Sequence, residues 1–296
     1  MDPGFNPSPA DLPSSASPWV RLADAVALVI AGLALWQVLT AGANGGLLGY
    51  IVPDVSGRSL LYALASVLVV RHVAAPSPSA FARLRQRWRR ASESPAWGPA
   101  LRAFVGTRLM VFAVAFFAVA TVGLVERPGF QVSNNVLVNL PARFDAGWYG
   151  ELATDGYQWN RTFSQQSNVA FFPAMPVLMR LLGAAVGARE IGKPREIRMA
   201  RTLWSGVAIS LAAFLCALVY LARVGTQLVG EARAEGAVLL LACYPFAFAF
   251  NAPYTESLFL LASVAAVYHF NEREWARAGA FGLLAGLTRP NGFFLA

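Results

Sequence analysis

Residues 103–125 read AFVGTRLMVFAVAFFAVATVGLV. With one arginine in an otherwise apolar run, this stretch meets the ~20 residues needed to cross a hydrocarbon layer. Immediately before it, residues 71–102 carry seven arginines against one glutamate. Short loops rich in arginine stay in the cytoplasm, so 103–125 leads outward and loop 126–170 is extracytoplasmic. Further apolar runs at 23–42, 56–73, 203–222, 236–250, 257–270 and 276–288 read as additional spans, several of them short.

Composition agrees with this reading. The 296 residues are 56% hydrophobic and 14% charged, with a mean hydropathy of +0.49, whereas a soluble domain has about 25% charged residues. The chain is therefore expected to be an all-α, polytopic transmembrane protein. Its net charge of +8 comes almost wholly from arginine, Lys193 being the only lysine. In such a chain that excess reports topology and lipid headgroup contact, and nucleic acid is excluded as a partner. No glycine-rich phosphate loop follows a strand pattern, so a nucleotide-sugar site is not expected. Cys216 and Cys243 lie in apolar runs and read as small packing residues, not a disulfide. His72 and His269 stand alone near span ends as interface residues, and no metal-ligand cluster is present. Residues 1–20, rich in proline and serine and without a basic start, read as a disordered tail. Residues 21–102 form an N-terminal extension with two spans and a basic cytoplasmic loop, and 103–296 form the core. The abundance of alanine, arginine and glycine points to a bacterial source and hence an inner or plasma membrane.

Three stretches carry the chemistry: RFDAGWYGELATDGY at 143–157, NVAFFPAMPVLMR at 168–180, and NAPYTESLF at 251–259 followed by GLLAGLTRPNG at 282–292. Local charge leaves the side of the third stretch open. Loop 189–201 has five basic residues and favours the cytoplasm, which requires 169–188 to cross. Pro173, Pro176 and Arg180 instead favour a helix lying along the interface, since an arginine within a span is costly.

In this order the three stretches resemble the PIG-V family of mannosyltransferases, which act in GPI-anchor synthesis, and its bacterial relatives. The resemblance covers about 143–292. It implies a GT-C glycosyltransferase fold, with a catalytic acidic residue in the first large outer loop of the core and a polyprenyl-phosphate sugar as donor. It also implies that the acidic loop and the PYTES turn meet on one outer face, which makes 169–188 a juxtamembrane helix. The family's core begins at the span before the DAGWY loop, so 1–102 is an addition it does not explain. Relatives continue through further helices where this chain stops at GFFLA, and the core is therefore expected to be C-terminally incomplete.

Residue by residue, Asp145 is the expected general base, with a helix N-cap as the plainer reading of the same spacing. Arg143 either binds phosphate or is a surface arginine. Trp148 and Tyr149 share a face with Asp145 if helical, stacking on a sugar or sitting at the interface. Glu151 and Asp155 read as solvated charges. Glu256 opens a helix, where the dipole favours a carboxylate, or binds sugar hydroxyls; Tyr254 would line the same pocket. Arg289, ahead of PNG, neutralises a lipid phosphate or snorkels from a helix end. The resulting expectation is an integral membrane enzyme that moves mannose from polyprenyl phosphate to a lipid or glycan acceptor at the extracytoplasmic face. It requires no cofactor, and nothing in the sequence identifies a protein partner. The alternative is a transporter or flippase for a lipid-linked substrate, which shares the spans and the broken helix but has no need of a carboxylate-rich aromatic loop.

Overall fold

The computed structural model describes residues 18–40, 57–74, 85, 88–89, 93–122, 130–133, 135, 137–159 and 166–295. The tail before Pro18, most of the basic stretch at 75–92 and the NRT sequence at 160–162 lie outside the described residues. The described residues are helices and turns with no strand. They belong to two compact units, one of residues 1–42 and 54–86, the other of residues 43–53 and 87–296.

The first unit pairs α1 (Pro18–Thr40) with α2 (Gly57–Ala74). Their contact includes a buried ion pair, Arg71 Nε to Asp24 Oδ1 at 3.0 Å. The helix already runs at Pro18, so the last three residues of the expected tail are its first turn.

The second unit is built on one long helix. The apolar run expected at 203–222 is the middle of α6 (Arg195–Val229), 35 residues and roughly 52 Å long. Its basic N-terminal turns, read from sequence as part of a loop, are helical because Glu196 lies in the first turn and Pro194 precedes it. Around α6 stand α3 (Trp97–Thr121), the short α4 (Ala146–Asp155), α5 (Ala174–Ala185), α7 (Glu231–Ala242), α8 (Glu256–Asn271) and α9 (Trp275–Gly286). Small residues let these helices approach. A Cβ on Gly206 would stand 2.5 Å from Pro253 and 3.1 Å from the Met179 sulfur, so the PYTES turn rests directly on the α6 backbone.

Two expectations are modified by proline and by length. The run 236–250 is not one helix: α7 stops at Ala242, and Tyr244–Pro245 leads into a 3₁₀ turn at Ala247–Asn251. Pro245 has no N–H to continue the ladder and forces its predecessor out of helical geometry. α5 has 12 residues, about 18 Å and well short of the ~30 Å hydrocarbon layer. α3 and α6 are long and apolar enough to cross a membrane by length and composition. Outward-facing apolar residues include Leu109, Met110 and Phe117 on α3 and Leu240 on α7, the last 75% exposed. Both cysteines are free, and both are exposed instead of packed. His269 departs further from expectation. It is buried, its Nδ1 bonded to Glu274 and its Nε2 3.0 Å from the Tyr220 hydroxyl.

Gly206→Val removes the space on which Pro253 rests. Thermal unfolding of the detergent-purified variant should show a loss of about 1–3 kcal/mol, and Gly206→Ala should fall between it and the wild type.

Candidate active site

One end of the second unit gathers polar residues of the first and third motifs. The approach to α4 is a tight turn. Asn139 accepts from the backbone N–H groups of Val132 and Ser133 at 2.9 and 3.0 Å, and the Ala146 N–H reaches back to the Arg143 carbonyl at 3.0 Å. This turn forces Phe144 to φ +45°, a left-handed conformation that a bulky residue avoids. The strained ring is 81% exposed, and the next residue is Asp145.

Asp145 occupies the N-cap position of α4, but its side chain makes no capping hydrogen bond, and its backbone is already helical. The capping reading is therefore removed. The helix it precedes forms as expected and ends at Gly156, φ +84°. The Asp145 carboxylate is exposed and takes no hydrogen bond or ion pair among the described residues.

The PYTES turn meets this loop directly. The Tyr254 hydroxyl donates to the Arg143 carbonyl at 2.7 Å, 111 residues away in sequence. Thr255, buried, accepts from Arg289 Nε at 2.8 Å, and Arg289 Nη2 pairs with Glu256 Oε1. Arg289 also sits over the Phe259 ring, 5.8 Å from its centre. The phenols report how closely these charges are grouped. Burial pushes the Tyr254 hydroxyl well above the usual phenol range, and the Asp145 and Glu256 carboxylates push it further. Burial also raises Tyr149, against a hydrogen bond to Thr255. Both phenols therefore stay protonated at neutral pH.

Two side-chain atoms here are buried without a partner: Arg143 Nη2 and Glu256 Oε2. Buried polar groups in folded proteins are paired almost without exception, so each atom is open to a water or ligand partner that the protein itself does not supply. Trp148 does not face the open site; its ring stacks on Phe171 at 5.8 Å, with Tyr149 edge-on to the same ring at 5.1 Å. Beyond the polar cluster an apolar groove of about 870 Å³ follows α3 from Gly106 to Val119. Arg143, Phe144 and Tyr254 belong to its wall at one end.

The sequence brought Arg143, Asp145, Tyr149, Tyr254, Glu256 and Arg289 into consideration, and the fold gathers all six. Trp148 joins through Phe171. Two participants went unread. Thr255, between Tyr254 and Glu256, was visible only as part of the motif. Arg108 looked like one cation in an apolar span.

The fold and cluster define a class: among the described residues an all-helical protein with two helices long and apolar enough to cross a membrane, and a polar cluster collected beside an apolar groove. The family model described as mannosyltransferase (PIG-V) matches residues 113–294, more than half of the chain. The chain belongs to that family and is a glycosyltransferase. No curated protein and no solved structure matches it.

Arg289 and Glu256 form one unit. In a double-mutant cycle, Arg289→Gln and Glu256→Gln should be non-additive, with a coupling of roughly 0.5–3 kcal/mol in thermal unfolding. Additive losses would mean that the pair does not form.

Proposed function

We propose that the enzyme transfers a mannosyl residue from a polyprenyl-phosphate donor to a hydroxyl of a lipid or glycan acceptor at the extracytoplasmic face. The observation that carries this reading is an uncommitted carboxylate, Asp145, two residues along the chain from Arg143, which lines the groove and has a buried guanidinium nitrogen without a partner.

The chemistry follows from those groups. The acceptor oxygen attacks the anomeric carbon as the bond from that carbon to the phosphate oxygen breaks. The acceptor's proton passes to Asp145, and the electron pair of the broken bond leaves with the polyprenyl phosphate. A phosphate leaving group needs no acid, so one base suffices; glycosidases, which expel an alkoxide, need two carboxylates. A single displacement of this kind inverts the anomeric centre. Arg143 supplies charge to the departing phosphate, and the groove along α3 takes the prenyl chain. Arg289, tied to Glu256 and Thr255, is better suited to holding the Glu256 carboxylate for sugar hydroxyls than to meeting the phosphate itself. Tyr254 fixes the Arg143 backbone from behind. In this arrangement α5 lies along the membrane surface, because the start of α6 packs against α4.

Transfer of label from radiolabelled polyprenyl-phosphate-mannose in membranes tests the reading. Asp145→Asn should lower the rate on the order of 10²–10⁴-fold at matched expression. Arg143→Gln should raise the donor KM more than it lowers kcat. Undiminished transfer by Asp145→Asn would remove the base from its role. A carrier that only moved the lipid would be indifferent to the same change.

A further inference from the structure

The basic stretch at 189–201 has an unusual place in this fold. Its charge suits a cytoplasmic loop, yet it lies at the same end of the second unit as Asp145. The start of α6 packs on α4, where a Cβ on Gly150 would come within 2.7 Å of the Met199 sulfur. Much of the stretch is internally matched. Arg195 pairs with Asp155 at 3.4 Å, and Arg201, fully buried, pairs with Glu190 at 3.2 Å and donates to the Gly187 carbonyl at 2.7 Å.

Three arginines are left over. Arg180 from α5, Arg189 from the following turn and Arg198 from α6 line a small pocket of about 170 Å³ closed by Thr154 and Thr202. None of the three makes an ion pair or side-chain hydrogen bond among the described residues. Asp155 and Glu190 are already paired, and Glu151 and Glu196 do not line the pocket. The two threonine hydroxyls donate to carbonyls of their own helices, Thr154 to Gly150 at 3.0 Å and Thr202 to Arg198 at 2.9 Å. The free donors of the pocket are therefore guanidinium N–H groups, whose forked geometry matches the oxygens of a phosphate. The volume equals about five or six water molecules at ~30 Å³ each, room for one phosphate group and not for a sugar chain.

We infer that Arg180, Arg189 and Arg198 form a phosphate-ester site separate from the reaction centre, its ligand carried by an anionic lipid headgroup or by a soluble phosphate. Thr154 lies nine residues beyond Asp145 along α4, roughly 13 Å at helical rise. A bound phosphate would thus lie beside the site without touching its reacting atoms. It would add a charged link from α5 to the 186–194 turn and α6, which already share the Arg201–Glu190 pair. The inference does not depend on the identity of the sugar donor.

Native mass spectrometry of the detergent-purified full chain, titrated with phosphatidylglycerol against phosphatidylcholine, reads the lipid source. Calorimetric titration with inorganic phosphate reads the soluble one. The Arg180→Gln/Arg189→Gln/Arg198→Gln variant is compared with Arg233→Gln, an exposed arginine on α7 outside the pocket. Preference for phosphatidylglycerol that falls at least about tenfold in the triple variant alone establishes the site with a lipid ligand. Phosphate binding lost in the triple variant alone, without lipid preference, establishes it with a soluble ligand. Equal binding by the triple variant and Arg233→Gln, or no binding of either ligand by the wild type, overturns the inference. The melting temperature of the triple variant, matched to wild type in ligand-free detergent, guards against simple misfolding.

Discussion

The polar cluster of this protein depends on one guanidinium in the middle of α3. When α7 stops at Ala242, its last carbonyls lose their helical partners inside an apolar bundle, where each unpaired group costs several kcal/mol. Arg108 meets the need from another helix. Its Nη2 donates to the Ala242 carbonyl at 2.7 Å, and its Nη1 donates to the Ala247 carbonyl and the Asn251 Oδ1, both at 2.6 Å. Its flat face lies 4.8 Å from the centre of the Phe214 ring. The cation is held by carbonyl oxygens at a helix C-terminus and by an aromatic face instead of by a carboxylate. The broken segment it secures delivers Tyr254, Thr255 and Glu256 to α4. Arg108 touches no reacting group in this arrangement; it fixes the path of the segment that does.

The break is what permits the site. An unbroken helix from Glu231 onward would carry its polar groups along its own backbone and could not turn Tyr254 toward the Arg143 carbonyl. With the break, α8 begins anew at Glu256, whose side chain opens a fresh helix where the dipole favours a carboxylate. The same device recurs at the other side of the cluster. α9 ends near Gly286 and Pro290 prevents its continuation, so Arg289 is presented on a turn that also bonds the Ala174 N–H through the Leu287 carbonyl at 3.0 Å. Gly292 then lies so close to the Ala285 backbone, 2.1 Å for a would-be Cβ, that no side chain fits.

The features legible in the sequence were those set by composition and short-range pattern. Apolar runs announced α3 and the middle of α6, and the DAGWY spacing announced the ten-residue helix that Gly156 ends. The motif set contained every member of the polar cluster, with Thr255 alone not singled out within it. What the sequence concealed were long-range pairings. Nothing local distinguishes Arg289 in an ion pair from Arg289 free to meet a phosphate, or Arg143 with one buried nitrogen unpartnered from an ordinary surface arginine. Helix length was misjudged for a related reason. Arg195 to Arg201 look like a loop by charge, but a helix end that packs against α4 and carries two ion pairs tolerates that charge.

The distribution of pairing among the carboxylates gives the site its direction. Glu256 and Asp145 both stand within the field of Tyr254, yet only Glu256 has a cation bonded to it. Asp145 carries no such bond among the described residues. Its backbone, already helical, also removes it from capping duty, and the strained Phe144 before it fixes where it emerges. Of two acids brought together by the fold, one is thus held by an arginine and the other is left unpaired among the described residues. That asymmetry follows from the break after α7 and the turn after α9, since the first brings Glu256 and the second brings its arginine.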